Sequence, residues 1–398
     1  MITETQPNHP FQTDTLLQQI NVNFEFPIIF TRDIFNSDNA TLANTISRLE
    51  KTRKHRALFV IDSGVVDANP LLLRKIYQYT ERYSDVFEFT DVPHIVSGGE
   101  RSKNSESIIG ALQEKVLNSK LDRQSFIVAI GGGAVLDMTG YVAATTHRGI
   151  RLIRVPTTVL AQNDSGVGVK NGINAFNTKN YFGTFAPPFS VINDADFLST
   201  LSERDMRSGM SEAVKVALLK DRFFFHWLNQ HVDELATFNP DSMEYMIREC
   251  AIHHLNHISK SGDPFEFGSS RPLDFGHWAA HKLESLSDHT ILHGEAVAIG
   301  IAIDTRYSVE IGKLSATNSN RIINLLNKLG FNLWSPLLET KSENGKPEIL
   351  NGLSEFQEHI GGDLSITLIR DIGASFDASA ILHEPMLRSI KWLKDHCS

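Results

Sequence analysis

SFIVAIGGGAVLDMTGYVAATTHRG, residues 125–149, is the stretch that decides the fold. SFIVAI (125–130) reads as a buried strand, Gly131–Gly133 as a turn, and the residues after them as an amphipathic helix. Three glycines let the backbone come close to a phosphate. The helix that follows aims its first amides, and the positive end of its dipole, at such an anion. The spacing is not G-x-G-x-x-G, so the ordinary dinucleotide fingerprint is absent. A glycine turn can also be purely structural; its place directly after an apolar strand favours a ligand.

Outward from this unit the pattern repeats. FPIIFT (26–31), ALFVID (57–62), FEFTDV (87–92) and IRLIRVP (150–156) read as strands, with helical stretches at 39–53, 69–84 and 104–120. The last has apolar residues at helical spacing: Ile108, Ile109, Leu112, Val116 and Leu117. Strand–helix alternation predicts an α/β domain with a parallel sheet and right-handed crossovers. After about residue 195 the spacing turns helical: 201–236, 242–259, 277–286, 295–311 and 318–330. Residues 155–188 read as a long irregular stretch, 261–274 as a loop, and LSITLIRDIGA (364–374) as a strand or a short return to the sheet. The domains are expected at 1–195 and 196–398, the second mostly α-helical.

The chain has 398 residues, 41% hydrophobic and 21% charged, which is ordinary globular composition with core enough for two domains. A formal net charge of -9 argues against general binding to nucleic acid or an acidic membrane. Two cysteines, Cys250 and Cys397, make no disulfide framework and fit a reducing cytoplasm. The opening MITETQPNHPFQTDTLLQQI lacks the basic and apolar regions of a secretory signal, and no run approaches the ~18 apolar residues of a membrane span. A soluble cytoplasmic enzyme or binding protein is expected.

Three local frames suggest a metal: GMSEAVK (209–215), DFGHWAAH (274–281) and LHGEAVAIG (292–300). Their Glu212, His277 and His293 would give one carboxylate and two imidazoles, three protein ligands with a position left open, as in catalytic divalent sites. Singly each is weak. Glu212 and Lys215 at i, i+3 can be a plain ion pair, and His277 with His281 at i, i+4 a helix face. HHLNH (253–257) is better read as a partly exposed helix face than as a second metal site. Asp62 ends a strand, where a carboxylate can take a ribose hydroxyl pair. SGGERSK (97–103) offers Glu100 and Lys103 to the same nucleotide, or is a solvated turn. Within 155–188, Asp164, Lys170, Lys179 and Asn180 can line a polar pocket, the lysines suiting a phosphate.

Taken in order, GGGxxxDxxGxxA, RxxxxPTTxLAxxDSxVGxK, KNxxGxFxxPxxVxxDxxxLxTL, GxxExxK, FGHxxxH and HGExVxIG resemble 3-dehydroquinate synthase and its sugar-phosphate cyclase relatives, from about Val60 to Gly373. The resemblance implies an N-terminal Rossmann-like NAD-binding domain and a C-terminal α-helical metal-binding domain, with NAD+ and Zn2+ or Co2+. It implies metal ligation by Glu212, His277 and His293, and acid–base work by His281. Asp164, Lys170, Lys179, Asn180 and Lys215 fall on substrate-binding positions, with Lys215, Lys170 and Asp164 also expected to take part in catalysis. Asp62, Glu100, Lys103, Gly132, Gly133, Asp137, Thr157, Thr158 and Thr200 fall on NAD-contacting positions. The implied reaction oxidises a ring hydroxyl, eliminates phosphate, returns the hydride and closes a carbocycle by aldol addition, with no net redox change. The implied partner is a small sugar phosphate, and the implied assembly a homodimer.

Several positions depart from the dehydroquinate pattern, among them Asp274, Arg271 and His253, which are expected to bind substrate. Asp274 stands for an asparagine before FGH, and Arg271–Pro272 replace an arginine in shifted register. His253 aligns with a family lysine, FQEH (356–359) with a lysine-bearing motif, and GDPFEFGSS (262–270) lengthens the preceding loop. Fewer cations suit a substrate without a carboxylate, since a buried unpaired charge costs several kcal/mol. Sedoheptulose 7-phosphate, cyclised to a 2-epi-valiolone-type product, is therefore expected, ahead of the carboxylated heptulosonate phosphate of dehydroquinate synthesis. A metal-dependent polyol dehydrogenase and a non-catalytic nucleotide- or metabolite-binding relative are the readings from other classes.

Overall fold

The structure is a computed structural model and describes residues 16–89, 92–176, 178–260, 265, 273–342, 345, 347–360 and 362–397. Its first half is built on seven parallel strands: β1 (Ile28–Thr31), β2 (His55–Asp62), β3 (Phe87–Phe89), β4 (His94–Val96), β5 (Phe126–Gly131), β6 (Arg151–Pro156) and, after a hairpin described below, β9 (Ser190–Asp194). The order is β1-β9-β6-β5-β2-β3, and β4 continues the β3 edge along the second half of β2. Successive side chains of a strand face opposite ways. Accordingly Phe59, Ile61, Val128 and Ile130 enter one core, while Leu58, Val60, Ile127 and Ala129 enter another on the other face. Burial on both faces explains why β2 and β5 read as near-continuous apolar runs.

The hairpin corrects the expectation of an irregular 155–188. β7 (Lys170–Ala175) and β8 (Thr178–Phe185) pair antiparallel, and Ala161–Ser165 before them form a π-helical turn. Residue 364–374 does contain a strand, β10 (Ile366–Asp371), but it does not rejoin the parallel sheet. It pairs antiparallel with β11 (Ala374–Ala378) as a separate two-stranded ribbon. Of FEFTDV, only Phe87–Phe89 is strand among the described residues. The 261–274 loop lies mostly outside them.

From Glu203 onward helices dominate, around a core of their own. The helix His293–Glu310 runs through the middle of it, buried from Ala296 to Ser308, which is why its sequence is apolar all round from Ala296 to Ile303. It packs against both the helix His277–Leu286 and the helix Met210–Lys220. Asn163 of the π-helical turn donates to the Gly209 carbonyl at 2.8 Å, seating the first half on the start of the Glu212 helix. No helix among the described residues is long and apolar enough to cross a membrane.

Candidate active site

Three helices deliver the three metal-type ligands. Glu212 lies in the first turn of Met210–Lys220, and His277 and His293 open their own helices. Glu212 Oε1 is 3.7 Å from His277 Nε2 and 3.8 Å from His293 Nε2. This oxygen is buried and accepts no hydrogen bond among the described residues. The far nitrogen of each ring is engaged: His277 Nδ1 lies 3.2 Å from the Phe275 carbonyl, and His293 Nδ1 lies 2.9 Å from Glu284 Oε2. Such anchors fix Nδ1 as the protonated nitrogen and turn a bare Nε2 inward. An orphaned carboxylate oxygen facing two bare imidazole nitrogens is a donor set that fits a divalent ion. At His277, burial and the Lys215 charge hold the ring neutral, well below its ordinary pKa, as a ligand requires. At His293 burial acts the same way, but the Glu284 carboxylate outweighs it and raises the pKa.

Glu284 was not among the residues expected from the sequence. It stands three residues after His281 and seven after His277, on one helix face. Its carboxylate takes both His293 Nδ1 and, at 3.0 Å, Lys179 Nζ of β8. Burial pushes its pKa up, but His293 and Lys179 outweigh that and hold it well below the usual carboxylate range. His281 shares this face; its ring centroid is 5.7 Å from that of His277 and 6.1 Å from that of His293, and it stays exposed, open to proton exchange with solvent.

Lys215 pairs with Glu212 at i, i+3, as the spacing allowed, yet the pair is buried rather than solvated. Burial opposes its charge, and Glu212 and Asp164 outweigh burial, so Lys215 stays protonated. Asp164 belongs to the π-helical turn. Burial would raise its pKa, but the His254 and Lys215 charges keep it ionised. His254 is the second residue the sequence reading missed. Its Nδ1 is 2.8 Å from Asp164 Oδ1, and a side chain on Gly168 would come within 3.3 Å of its Nε2. His253, the residue expected here, turns away: it pairs with Asp221 at 3.1 Å and stacks on Phe224. Arg154 is the third. Fully buried, it donates to the carbonyls of Gly166, Gly168 and Lys170 and to Asn171 Oδ1, and so shapes the loop that leads to Lys170. Lys170 itself starts β7 and is exposed.

The nucleotide-type residues gather at the carboxyl ends of β2, β4, β5 and β6, the edge where open parallel sheets take ligands. Asp62 ends β2 and accepts from the Gly64 amide at 2.9 Å. A Cβ on Gly98 would stand 2.3 Å from Asp62 Oδ1, so a side chain there would displace this carboxylate. Gly132 caps the helix Gly133–Thr145 without any side chain on the helix amides, and a Cβ on Gly133 would stand 2.6 Å from Ser165 Oγ. The Thr157 amide donates to the Gly131 carbonyl at 3.0 Å, and Thr158 Oγ1 accepts from the Ala161 amide at 3.1 Å. Buried Lys103 joins Asp137, at 3.1 Å, to Asn180. Glu100 accepts from Asn174 at 2.7 Å. The Thr200 hydroxyl donates to Phe197 in its own turn and is exposed, and Asp274 lies close enough to act on the Lys215 charge. Arg271 lies outside the described residues. Adjacent residues of β8 thus serve both sides of the site, Lys179 toward Glu284 and Asn180 toward Lys103.

Two family models match in tandem: 3-dehydroquinate synthase N-terminal over residues 93–208 and 3-dehydroquinate synthase C-terminal over 209–347. A 3-dehydroquinate synthase of Halorhodospira halophila (strain DSM 244 / SL1) is 36% identical over 276 residues, 69% of this chain and 75% of that protein. Among solved structures, ValA, a 2-epi-5-epi-valiolone synthase from Streptomyces hygroscopicus subsp. jinggangensis 5008 with NAD+ and Zn2+ bound, superposes with a TM-score of 0.83 at 23% identity, covering 96% of this chain and 99% of that one. A 2-deoxy-scyllo-inosose synthase complexed with carbaglucose-6-phosphate, NAD+ and Co2+ gives 0.72 at 24% identity, over 92% and 96%. The tandem match joins at 208/209, just where the π-helical turn meets the Glu212 helix, and the chain belongs to the 3-dehydroquinate synthase family of sugar-phosphate cyclases, enzymes that eliminate phosphate.

Proposed function

We propose that this enzyme cyclises sedoheptulose 7-phosphate to a 2-epi-valiolone-type product, using NAD+ and a divalent ion, Zn2+ or Co2+. When bound, the nicotinamide supplies oxidation and the returning hydride, and the cation polarises the oxygen concerned. Glu212, His277 and His293 would hold the ion. The uncapped helix after Gly132, with Asp62, Gly133, Lys103 and Asp137, would hold the dinucleotide; Glu100, Thr157, Thr158 and Thr200 are proposed beside them. Lys179, Lys215 and Lys170 bring fixed positive charge to a phosphate or a developing oxyanion. Asn180 and Asp164 orient hydroxyls, and His281 gives and takes protons with solvent access. Both bound relatives described above carry NAD+ and a divalent metal in their structures, which supports this cofactor pair. A homodimer is inferred by analogy with the family.

The observation that supports the choice of substrate is the charge around Lys215. Glu212, Asp164 and Asp274 all act on this one ammonium, and the helix Pro240–Lys260 brings no lysine to it: His253, aligned with the family lysine, pairs with Asp221 instead. A substrate carboxylate would enter an already acidic pocket; a neutral hydroxymethyl ketone would not meet that repulsion. The alternative is 3-dehydroquinate synthesis, favoured by the identity to the Halorhodospira halophila protein.

The test incubates purified protein, NAD+ and Zn2+ or Co2+ separately with each of the two heptulose phosphates. Release of phosphate and a carbocyclic product from sedoheptulose 7-phosphate, without net NADH, is expected. Turnover of only the carboxylated substrate selects dehydroquinate synthesis. Net NADH from a polyol would make the chain a dehydrogenase, and no turnover with no bound metal would leave a non-catalytic binder.

A further inference from the structure

His277 is flanked by two donors that share one carboxylate. The Gly276 amide donates to Asp304 Oδ2 at 3.0 Å, and the Trp278 indole donates to Oδ1 at 2.9 Å. Asp304 is fully buried three turns along the His293 helix, and Trp278 is buried with it. Both donors are uncharged. A buried carboxylate facing two neutral donors costs the fold more than an apolar side chain would. What this residue provides is geometry, because it grips the chain immediately before and immediately after a ligand.

The same turn is pressed onto the same helix by its backbone. Gly276 has φ +78°, and a Cβ there would stand 2.6 Å from the Ile301 amide nitrogen. Gly300 faces the Gly276 carbonyl with no room for a side chain. Two ligands from separate helices therefore share one frame: His293 opens the helix, and Gly300 and Asp304 farther along it seat His277.

We propose that Asp304 is a positioning residue for the metal centre, locking the His277 backbone to the His293 helix and so setting the spacing of the two imidazoles. The proposal rests on the reading that Glu212, His277 and His293 hold a divalent ion. Its test is Zn2+ affinity, measured on the full chain by competition with a chromophoric chelator, together with the visible spectrum of the Co2+ form. Asp304→Asn retains the shape but offers one acceptor oxygen to two donors. Trp278→Phe deletes one bond and retains an apolar ring.

Zn2+ affinity should fall about 10- to 100-fold in Asp304→Asn, the usual effect of removing an outer partner of a ligand. It should fall less in Trp278→Phe, and the Co2+ bands should shift in both. Wild-type affinity and spectra in both folded variants overturn the proposal, even if their thermal stability drops. Should Asp304→Asn fail to fold, Trp278→Phe decides alone. A wild-type protein that binds no Zn2+ overturns the metal reading itself, a result separate from any difference between variants.

Discussion

Glu284 shows what a single side chain does here. It is an acid held ionised by His293 and Lys179 against burial. A depressed carboxyl stabilises the fold above its unfolded pKa of about 4.3, and that contribution is lost as the pH falls below it. In metal-free protein Glu284→Gln should therefore be less stable than wild type at pH 7, and the gap should narrow below about pH 4.3; denaturant melts over a pH series check this. Lys215→Met should lower kcat/KM at least ~100-fold, by analogy with losing a fixed charge at a reacting oxygen; an unchanged value would remove Lys215 from the site. The proposed metal ligands were legible because each sat in its own distinctive frame. Glu284 was overlooked because the pair His277–His281 was read without the next turn of the same face. His254 was missed for a different reason: on a helix one residue is about 100° of rotation, and the sequence does not say which of two adjacent histidines meets Asp164.

At the scale of elements, the π-helical turn and the β7–β8 hairpin supply Asp164, Lys170, Lys179 and Asn180. They were not legible. Their sequence, DSGVGVKNGINAFNTKNYFGTF (164–185), is rich in glycine and asparagine, which strands usually avoid. Part of their order comes from outside, since Arg154 satisfies carbonyls that a regular ladder would otherwise pair. The only hint was an arginine inside the apolar run of β6. Arg154→Met should leave these buried acceptors unpaired and cost about 3 kcal/mol of stability, read from denaturant unfolding; retained stability would show that the loop orders itself. The central strands β2 and β5 were legible for the opposite reason, since burial on both faces leaves a plain apolar signature.

At the scale of the whole molecule, the site is assembled from two halves that the chain's spacing already distinguished, and we propose the boundary at 195/196, beside the end of β9 at Asp194. If the ion binds only the folded state, saturating Zn2+ at 1,000-fold above Kd should add about 4 kcal/mol. A chelator should then lower Tm, and Glu212→Ala should make Tm insensitive to it. The consecutive residues Lys179 and Asn180 carry this unity into energetics. A phosphate that draws Lys179 from Glu284 leaves that carboxylate wholly to His293, making the imidazole a more basic donor. On the proposed site, the anion and the cation would then become heterotropic effectors of one another, with a single coupling free energy seen equally from either side. Inorganic phosphate should tighten Zn2+ binding in wild type and have no such effect in Lys179→Met, so the two halves would report each other's occupancy through one ammonium group.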